Sequence, residues 1–495
     1  MLHLIDDFIT KRKVSLNINE FKSEKRQTGN YGLPQGAVLS VKLFKIFLMD
    51  FATELDNIPE ITKYKFADDG SFKVTGRTTP ECLATFQIVL DCLDRWAKKW
   101  HMKINCNKDK TEVICFNTHE KDDKLVPQTF KLGDNEIQRV KKTKVLGLTM
   151  DEQLNYDQHT EEVLRSVRIT WVTLCKLSNR QWGLKQQVMI YLIKTLIISK
   201  WSYAGHIYMN KGNLEKINKL WYKILKSITG AVYNIKQEVA ELILGLPPIQ
   251  VQIQMNEIKH FLKVNFNRAK DDRYKEFLLT EYKEKEKTPN VIHCKLKKVF
   301  EFLQWKANHY GNHFTEAEHN IIRNQEYGKL WELSPKASSY TKNMADQYVE
   351  KILWKNSLKT QFQIEGYSAI PEPSMKILPI PNNTKRNEEI LLMSFMYKNN
   401  LLNHFLWLQD KVESPLCHKC KISEETPEHI LFECLAIEPE LQQRIKKNYI
   451  LENHIQAPHE IDAYIGIINA SRNDCFIADC LELVRTSKYR ETIIL

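Results

Sequence analysis

Two short stretches of the 495-residue chain hold side chains whose types and spacing could do chemistry. The first is Phe66-Ala67-Asp68-Asp69-Gly70. Adjacent carboxylates can help hold Mg²⁺, a hard cation that prefers a few carboxylates together with substrate phosphates. Two such ions clamp the attacking and leaving oxygens of an in-line phosphoryl displacement. The same five residues also fit a plain tight turn between strands. The second stretch is Cys417-x-x-Cys420-x8-His429-x4-Cys434. The close cysteine pair predicts a knuckle, with His429 and Cys434 near one turn apart on a helix. Four soft ligands in this pattern suit a closed, tetrahedral, structural Zn²⁺ site. Two buried cysteines and a surface histidine without metal are the alternative. His418 is a further nitrogen, less suited by its place inside the knuckle.

These side chains need elements to hold them. Ahead of the acid pair, Gly32-Leu33-Pro34-Gln35-Gly36 reads as a loop running into an apolar helical pattern through Leu43 and Phe44. Such a loop can bring backbone close to a nucleotide or template strand. Behind the pair, Leu83, Phe86, Leu90, Leu93, Ala97 and Trp100 recur at helical steps, ending near His101. Thr111–Phe116 reads as a strand, and Lys144–Leu148 could be a plain strand with one glycine. Strands interleaved with helices predict an α+β or α/β layer structure here.

From about Gln158 the pattern turns helical, most clearly over Gln187–Lys200 and Asn213–Thr229. In the latter, Ile217, Leu220, Trp221, Ile224, Leu225 and Ile228 share one side, with Gly230 as a stop. Lys216, Lys219, Lys223 and Lys226 gather on the other side, as a solvated face or as contacts to nucleic-acid phosphates. A charged stretch over 267–287, helical sequence to about Gln363 and a connector rich in proline (Pro371, Pro373, Pro379, Pro381) precede a last helix-rich unit from Lys385. Cys475 and Cys480 read as structural.

Lys plus Arg outnumber Asp plus Glu by 72 to 61, a formal charge of +11 that fits a polyanionic partner. The eleven cysteines are mostly scattered singly, which predicts a reducing compartment rather than a disulfide framework. The first residues lack the pattern of a signal peptide. The most apolar stretch, Val188–Ile198, is interrupted by Lys194 and falls short of the ~20 residues a membrane helix needs. An intracellular chain, nuclear or cytoplasmic and without a membrane partner, is expected.

The order and spacing of the motifs carry more than any one of them. Leu33-Pro34-Gln35-Gly36-Ala37-Val38-Leu39-Ser40, Phe66-Ala67-Asp68-Asp69, Trp100-x-x-Lys103-x-Asn105-x4-Lys110-Thr111 and Val145-Leu146-Gly147-Leu148 together resemble the palm of LINE-type (non-LTR) retrotransposon reverse transcriptases, the jockey-like group most closely. Leu246-Pro247-Pro248 and Glu425-Thr426-x-Glu428-His429 also resemble that group. The resemblance implies an α+β right-hand polymerase: a partial palm with fingers over 1–157 and a helical thumb over 158–270. A helical region over 271–384 and a C-terminal helical unit with the zinc knuckle over 385–495 would follow. It implies an RNA-directed DNA polymerase acting on an RNA template, a DNA primer and dNTPs. Asp68 would bind Mg²⁺ with Asp69 beside it, and Lys110 would neutralise or protonate the leaving pyrophosphate. Pro34, Gln35, Gly36 and Phe66 would sit near the template and nucleotide, and Leu146 and Gly147 would grip the primer end.

Departures from the family pattern bear on activity. Members carry another metal-binding aspartate on an earlier palm strand, and neither Asp6 nor Asp7 is expected to replace it. No acidic series of the RNase H type is evident, nor the family's endonuclease. Ala37 and Val41 stand where serine and proline are usual. An incomplete copy is therefore expected, or alternatively a catalytically inactive or domesticated nucleic-acid-binding remnant. A helical scaffold unrelated to nucleic acid is a third possibility.

Overall fold

A computed structural model describes residues 2–10, 12–28, 32–116, 124–178, 183–231, 235–268, 291–326, 332–364, 370–397, 402–455 and 463–486. These fall into two compact units, divided between Leu154 and Asn155.

The first unit mixes helices with short strands. After helix Leu2–Ile9, Lys13–Val14 pairs with Arg26–Gln27 and Asn17–Ile18 with Phe21–Lys22, one hairpin nested in the other. The Gly32–Gly36 loop runs into helix Val38–Phe47 as its sequence predicts. Strands Ile61–Phe66 and Asp69–Val74 then form an antiparallel hairpin. Its inner side packs with helix Thr79–Lys99, whose buried stripe includes Val89, Leu90, Leu93, Trp96 and Ala97. The helix starts where Thr78 accepts a hydrogen bond from the Glu81 N–H, which satisfies one of the free donors of the first turn.

Two strand expectations need correction. Only Glu112–Val113 of the 111–116 run is a strand, paired in parallel with Gln138–Arg139 of a three-stranded sheet. Lys144–Leu148 is not one strand either. It folds as a hairpin in which Lys142–Val145 pairs with Leu148–Asp151 across a two-residue turn. Leu146 (φ 48°) and Gly147 (φ 86°) both adopt the left-handed conformation that such tight turns require.

Among the described residues, the named elements of the second unit are all helices. Helix Lys211–Thr229 buries the predicted stripe of Ile217, Leu220, Trp221, Ile224, Leu225 and Ile228. Each such side chain contributes about 1.5–3 kcal/mol of transfer free energy, an upper estimate. Gly230 ends the helix at φ +67°, and a Cβ there would meet Ile390 at 2.7 Å. The 187–200 expectation is met by Gln186–Ile193, a π turn over Lys194–Ile198, and Ser199–Ser202.

The proline-rich connector is irregular, as predicted, but it is not a free tether. Pro371, Pro373, Leu378 and Ile380 are buried. The Arg472 guanidinium donates to the carbonyls of Leu242, Ser374 and Lys376. Arg386 donates to Glu389 (3.1 Å) and to the Ile228 carbonyl, while Glu389 accepts from the Gln186 N–H. Cys480 is buried as expected, whereas Cys475 is exposed. Most of the charged 267–287 stretch lies outside the described residues. No described helix is long and apolar enough to cross a membrane.

Candidate functional site

The acid pair sits at the tip of the Ile61–Phe66 and Asp69–Val74 hairpin. Phe66 pairs with Asp69, so the turn residues are Ala67 and Asp68. Ala67 takes the left-handed conformation (φ 52°), an unfavourable one for a residue with a Cβ. Gly70 has a different role: its Cα faces the Phe51 ring, which a Cβ would touch at 3.4 Å. Asp68 and Asp69 are both exposed. By strand alternation Asp69 shares the outer face with Tyr64 and Phe66, which are 57% and 64% exposed. The outer face therefore offers the Asp69 carboxylate and two aromatic rings to solvent, with Asp68 exposed at the turn next to them.

The inner face explains how the tip is held. Lys63 donates to the Ala52 carbonyl at 2.8 Å, and Lys65 donates to the Leu48 carbonyl. Burial lowers the Lys65 ammonium below its usual range. Phe51 packs edge-on against Trp96 at 4.8 Å and near Phe72 at 5.9 Å. Phe47 meets Trp96 and Trp100 at 6.0 and 5.5 Å. Asp50 lies among them and was not anticipated from sequence. It accepts from Trp96 Nε1 (2.9 Å), Trp100 Nε1 (2.8 Å) and Lys99 Nζ (2.9 Å). Those donors, Trp96 foremost and Lys99 next, hold its carboxyl down at about 2. The signal for it was an acid following an apolar run, with two indoles four residues apart on the facing helix.

The other predicted residues of this unit are at the surface. Gln35, Gly36 and Lys110 are exposed and Pro34 is half-buried, its carbonyl accepting from Ser40 Oγ at 2.5 Å. Leu146 projects from its hairpin turn, 47% exposed. In the second unit Lys216, Lys219 and Lys223 are exposed and Lys226 is half-buried. Lys216 pairs with Asp157 at 3.0 Å.

The cysteine–histidine cluster is of another kind. Among the described residues, Cys417, Cys420, His429 and Cys434 are the only group of three or more potential donors placed to hold a metal ion. Their ligand atoms lie within 4.8 Å of one another. Cys417 and Cys434 are buried with their sulfurs 3.8 Å apart, and His429 Nε2 is 3.2 Å from Cys420 Sγ. Zn–S bonds of about 2.3 Å at tetrahedral angles set sulfurs ~3.8 Å apart, so the donors fit zinc in number, type and spacing.

Local backbone builds this cluster. Cys417 N–H donates to the Ser423 carbonyl, Lys421 N–H to the Cys417 carbonyl, and Ile422 N–H to Cys420 Sγ at 3.5 Å. Burial opposes ionisation of Cys420, yet the Ser423 and Ile422 amides and the His429 ring outweigh it and bring the thiol down to about 6. Burial pushes Cys417 up to about 12 and raises Cys434. The predicted ordinary helical turn between His429 and Cys434 is instead a π turn over His429–Glu433, closed by Cys434 N–H to the His429 carbonyl at 2.7 Å. At ~100° per residue an α-helix would swing a residue five positions on well away from His429. The wider π turn returns it to the same side. His418 is engaged by Glu425 and is not a member of the cluster.

Residues 2–150 match the reverse transcriptase (RNA-dependent DNA polymerase) family, and this stretch is a reverse transcriptase domain. The chain is similar to the RNA-directed DNA polymerase from mobile element jockey of Drosophila melanogaster, 23% identical over 269 residues. That match covers 53% of this chain and 28% of the relative. The jockey polymerase of Drosophila funebris is 26% identical over 262 residues, covering 51% and 28%. The probable RNA-directed DNA polymerase from transposon BS of Drosophila melanogaster is 23% identical over 239 residues, covering 46% and 26%. The resemblance to non-LTR, jockey-like reverse transcriptases is thus borne out, and the matched region spans little more than a quarter of each relative.

Proposed function

We propose that the chain supplies palm and thumb parts of the RNA-directed DNA polymerase of a jockey-like non-LTR element. The observation that carries this is the reverse transcriptase domain over 2–150, with Asp68 and Asp69 at an exposed hairpin tip beside accessible Tyr64 and Phe66. Phe66, Pro34, Gln35 and Gly36 would contact the template and incoming nucleotide. Lys110 would face the leaving pyrophosphate, and Leu146 and Gly147 the primer end. Lys216, Lys219, Lys223 and Lys226 would contact phosphates, within a thumb over 158–270. RNA template, DNA primer and dNTPs are the partners this reading requires.

Mg²⁺ at the acid pair would supply charge neutralisation during nucleotidyl transfer. Two carboxylates on one turn do not suffice for two ions, and the described residues bring no third donor to them. That observation favours a second reading, nucleic-acid binding without extension by this chain alone. Zn²⁺ fits Cys417, Cys420, His429 and Cys434, where it would cross-link the knuckle to the π turn and stabilise the fold.

Primer extension on a primed RNA template with Mg²⁺, beside an Asp68→Asn control, tests the first reading. Extension that vanishes in the control supports a working polymerase. Salt-sensitive template binding without extension supports the second reading. Absence of both at low salt overturns the two together and favours a scaffold.

A further inference from the structure

Beside the metal-binding cluster lies a carboxylate that none of the proposed roles employs. Glu425 is 2% exposed. A buried carboxylate is costly unless it is paired and fully hydrogen-bonded, so its partners show what holds it there. Oε1 is paired with the His418 ring at Nδ1 and also accepts from the His418 N–H at 3.3 Å. Oε2 accepts from the Asn403 N–H at 2.7 Å, at the start of helix Asn403–Leu408. Glu425 thus grips the peptide between Cys417 and Cys420 with one oxygen and a separate helix with the other.

The neighbours extend this grip. Glu425 N–H donates to the Pro415 carbonyl at 2.8 Å, and Leu416 and Glu424 form a β-bridge. Asn403 Nδ2 donates to the Leu416 carbonyl at 2.9 Å, and His404 pairs with Glu424 at 2.9 Å. The next residue, Thr426, accepts at Oγ1 from the His429 N–H at 3.2 Å. The dipeptide Glu425-Thr426 therefore fastens one ligand pair through the knuckle and the other through the first turn of the π segment.

We propose that Glu425 is a positioning residue of the metal centre, which sets zinc affinity by fixing the knuckle and couples metal loading to the order of helix Asn403–Leu408. It touches no ligand atom and acts through His418 and Asn403. The proposal rests on the zinc reading above, and the test separates the two.

Zinc content and affinity of the full chain are measured by competition with a chromogenic chelator, together with amide exchange over residues 402–408. The unaltered chain binds one zinc, and removing it exposes the 402–408 amides. Glu425→Ala weakens zinc binding by ~10–100-fold, the range expected when a supporting partner of a ligand is lost. It also leaves those amides exchanging even with zinc bound. Glu425→Gln, which keeps an acceptor and the shape, shows a smaller loss. Ile467→Ala, a buried site on another helix, lowers Tm but leaves zinc affinity unchanged, which removes general destabilisation as the cause. Unchanged zinc affinity in both Glu425 variants, with one zinc bound by the unaltered chain, overturns the proposal alone. No zinc in the unaltered chain overturns the metal reading and this proposal with it.

Discussion

The hairpin tip at Asp68 and the cluster at Cys417 are both candidate metal-binding places, and they are built in opposite ways. At the cluster all four donors come from one 18-residue stretch, and burial together with the π turn packs them within 4.8 Å of one another. At the tip two carboxylates face solvent, and everything that fixes them lies on the covered side of the sheet: Lys63, Lys65, Phe51 and the Asp50 clamp. A closed site carries its own ligands and is self-sufficient. An open site is presented by a scaffold and leaves room for ligands from elsewhere, as a site for exchanging substrates must.

Substitutions can break this contrast, beginning with the largest expected effect. Cys417→Ser removes a buried donor of the proposed zinc site, so zinc content is expected to fall to zero and the knuckle and π turn to lose protection from exchange. Such metal sites contribute folding free energy on the order of 10 kcal/mol in isolated peptides, and a clear drop in Tm is the expected readout. Next comes Asp50→Ala, which strips three donors of their common acceptor. Tryptophan emission shifts to the red as Trp96 and Trp100 loosen, and the first unit melts earlier. The same clamp has a pH signature. Because the folded carboxyl is held at about 2, below its ordinary 3.8, its stabilisation is present above pH 3.8 and is lost as pH falls toward 2. Asp50→Asn flattens that part of the stability profile, and a profile identical to that of the unaltered chain would show the clamp to be inert.

Smaller effects follow. Replacing Lys219 and Lys223 together with Gln lowers the slope of log affinity for RNA against log salt by about 2, with Tm unchanged. A slope that does not move would make this face a solvated one. Asp68→Asn has the least effect on stability, because an exposed turn carboxylate carries little of the fold; Tm stays within ~1–2 °C, as for most surface substitutions. A large loss there would mean that the tip is structural after all.

Sequence alone reached parts of this unevenly, for physical reasons. The Lys211–Thr229 helix was legible because one period of apolar residues and one terminal glycine decide it. The cysteine–histidine cluster was legible because its donors are close in sequence and their chemistry admits few alternatives. The wide turn between His429 and Cys434 was not, since i and i+5 on a π turn leave no distinct residue pattern. The reversal at Leu146-Gly147 was hidden because leucine rarely adopts a left-handed conformation. Asp50 stayed invisible, and Glu425 showed only as part of a resembling motif without a role, because their partners lie tens of residues away or on another element. The connector near Pro371–Pro381 read only as a proline-rich connector because proline content reports irregular backbone, not whether that backbone is covered.

That covered connector has a consequence for synthesis. Arg472 reaches the Leu242 carbonyl across 230 residues of chain, and Glu389 reaches Gln186 across 203. At ~5–20 residues per second, the ribosome needs ~10–50 s to deliver Arg472 after Leu242 has been made. For that interval the earlier helices of the second unit wait with their closing contacts unmade and apolar faces uncovered. A message cut short before Arg472 would leave its product permanently in that state, prone to chaperone capture and proteolysis.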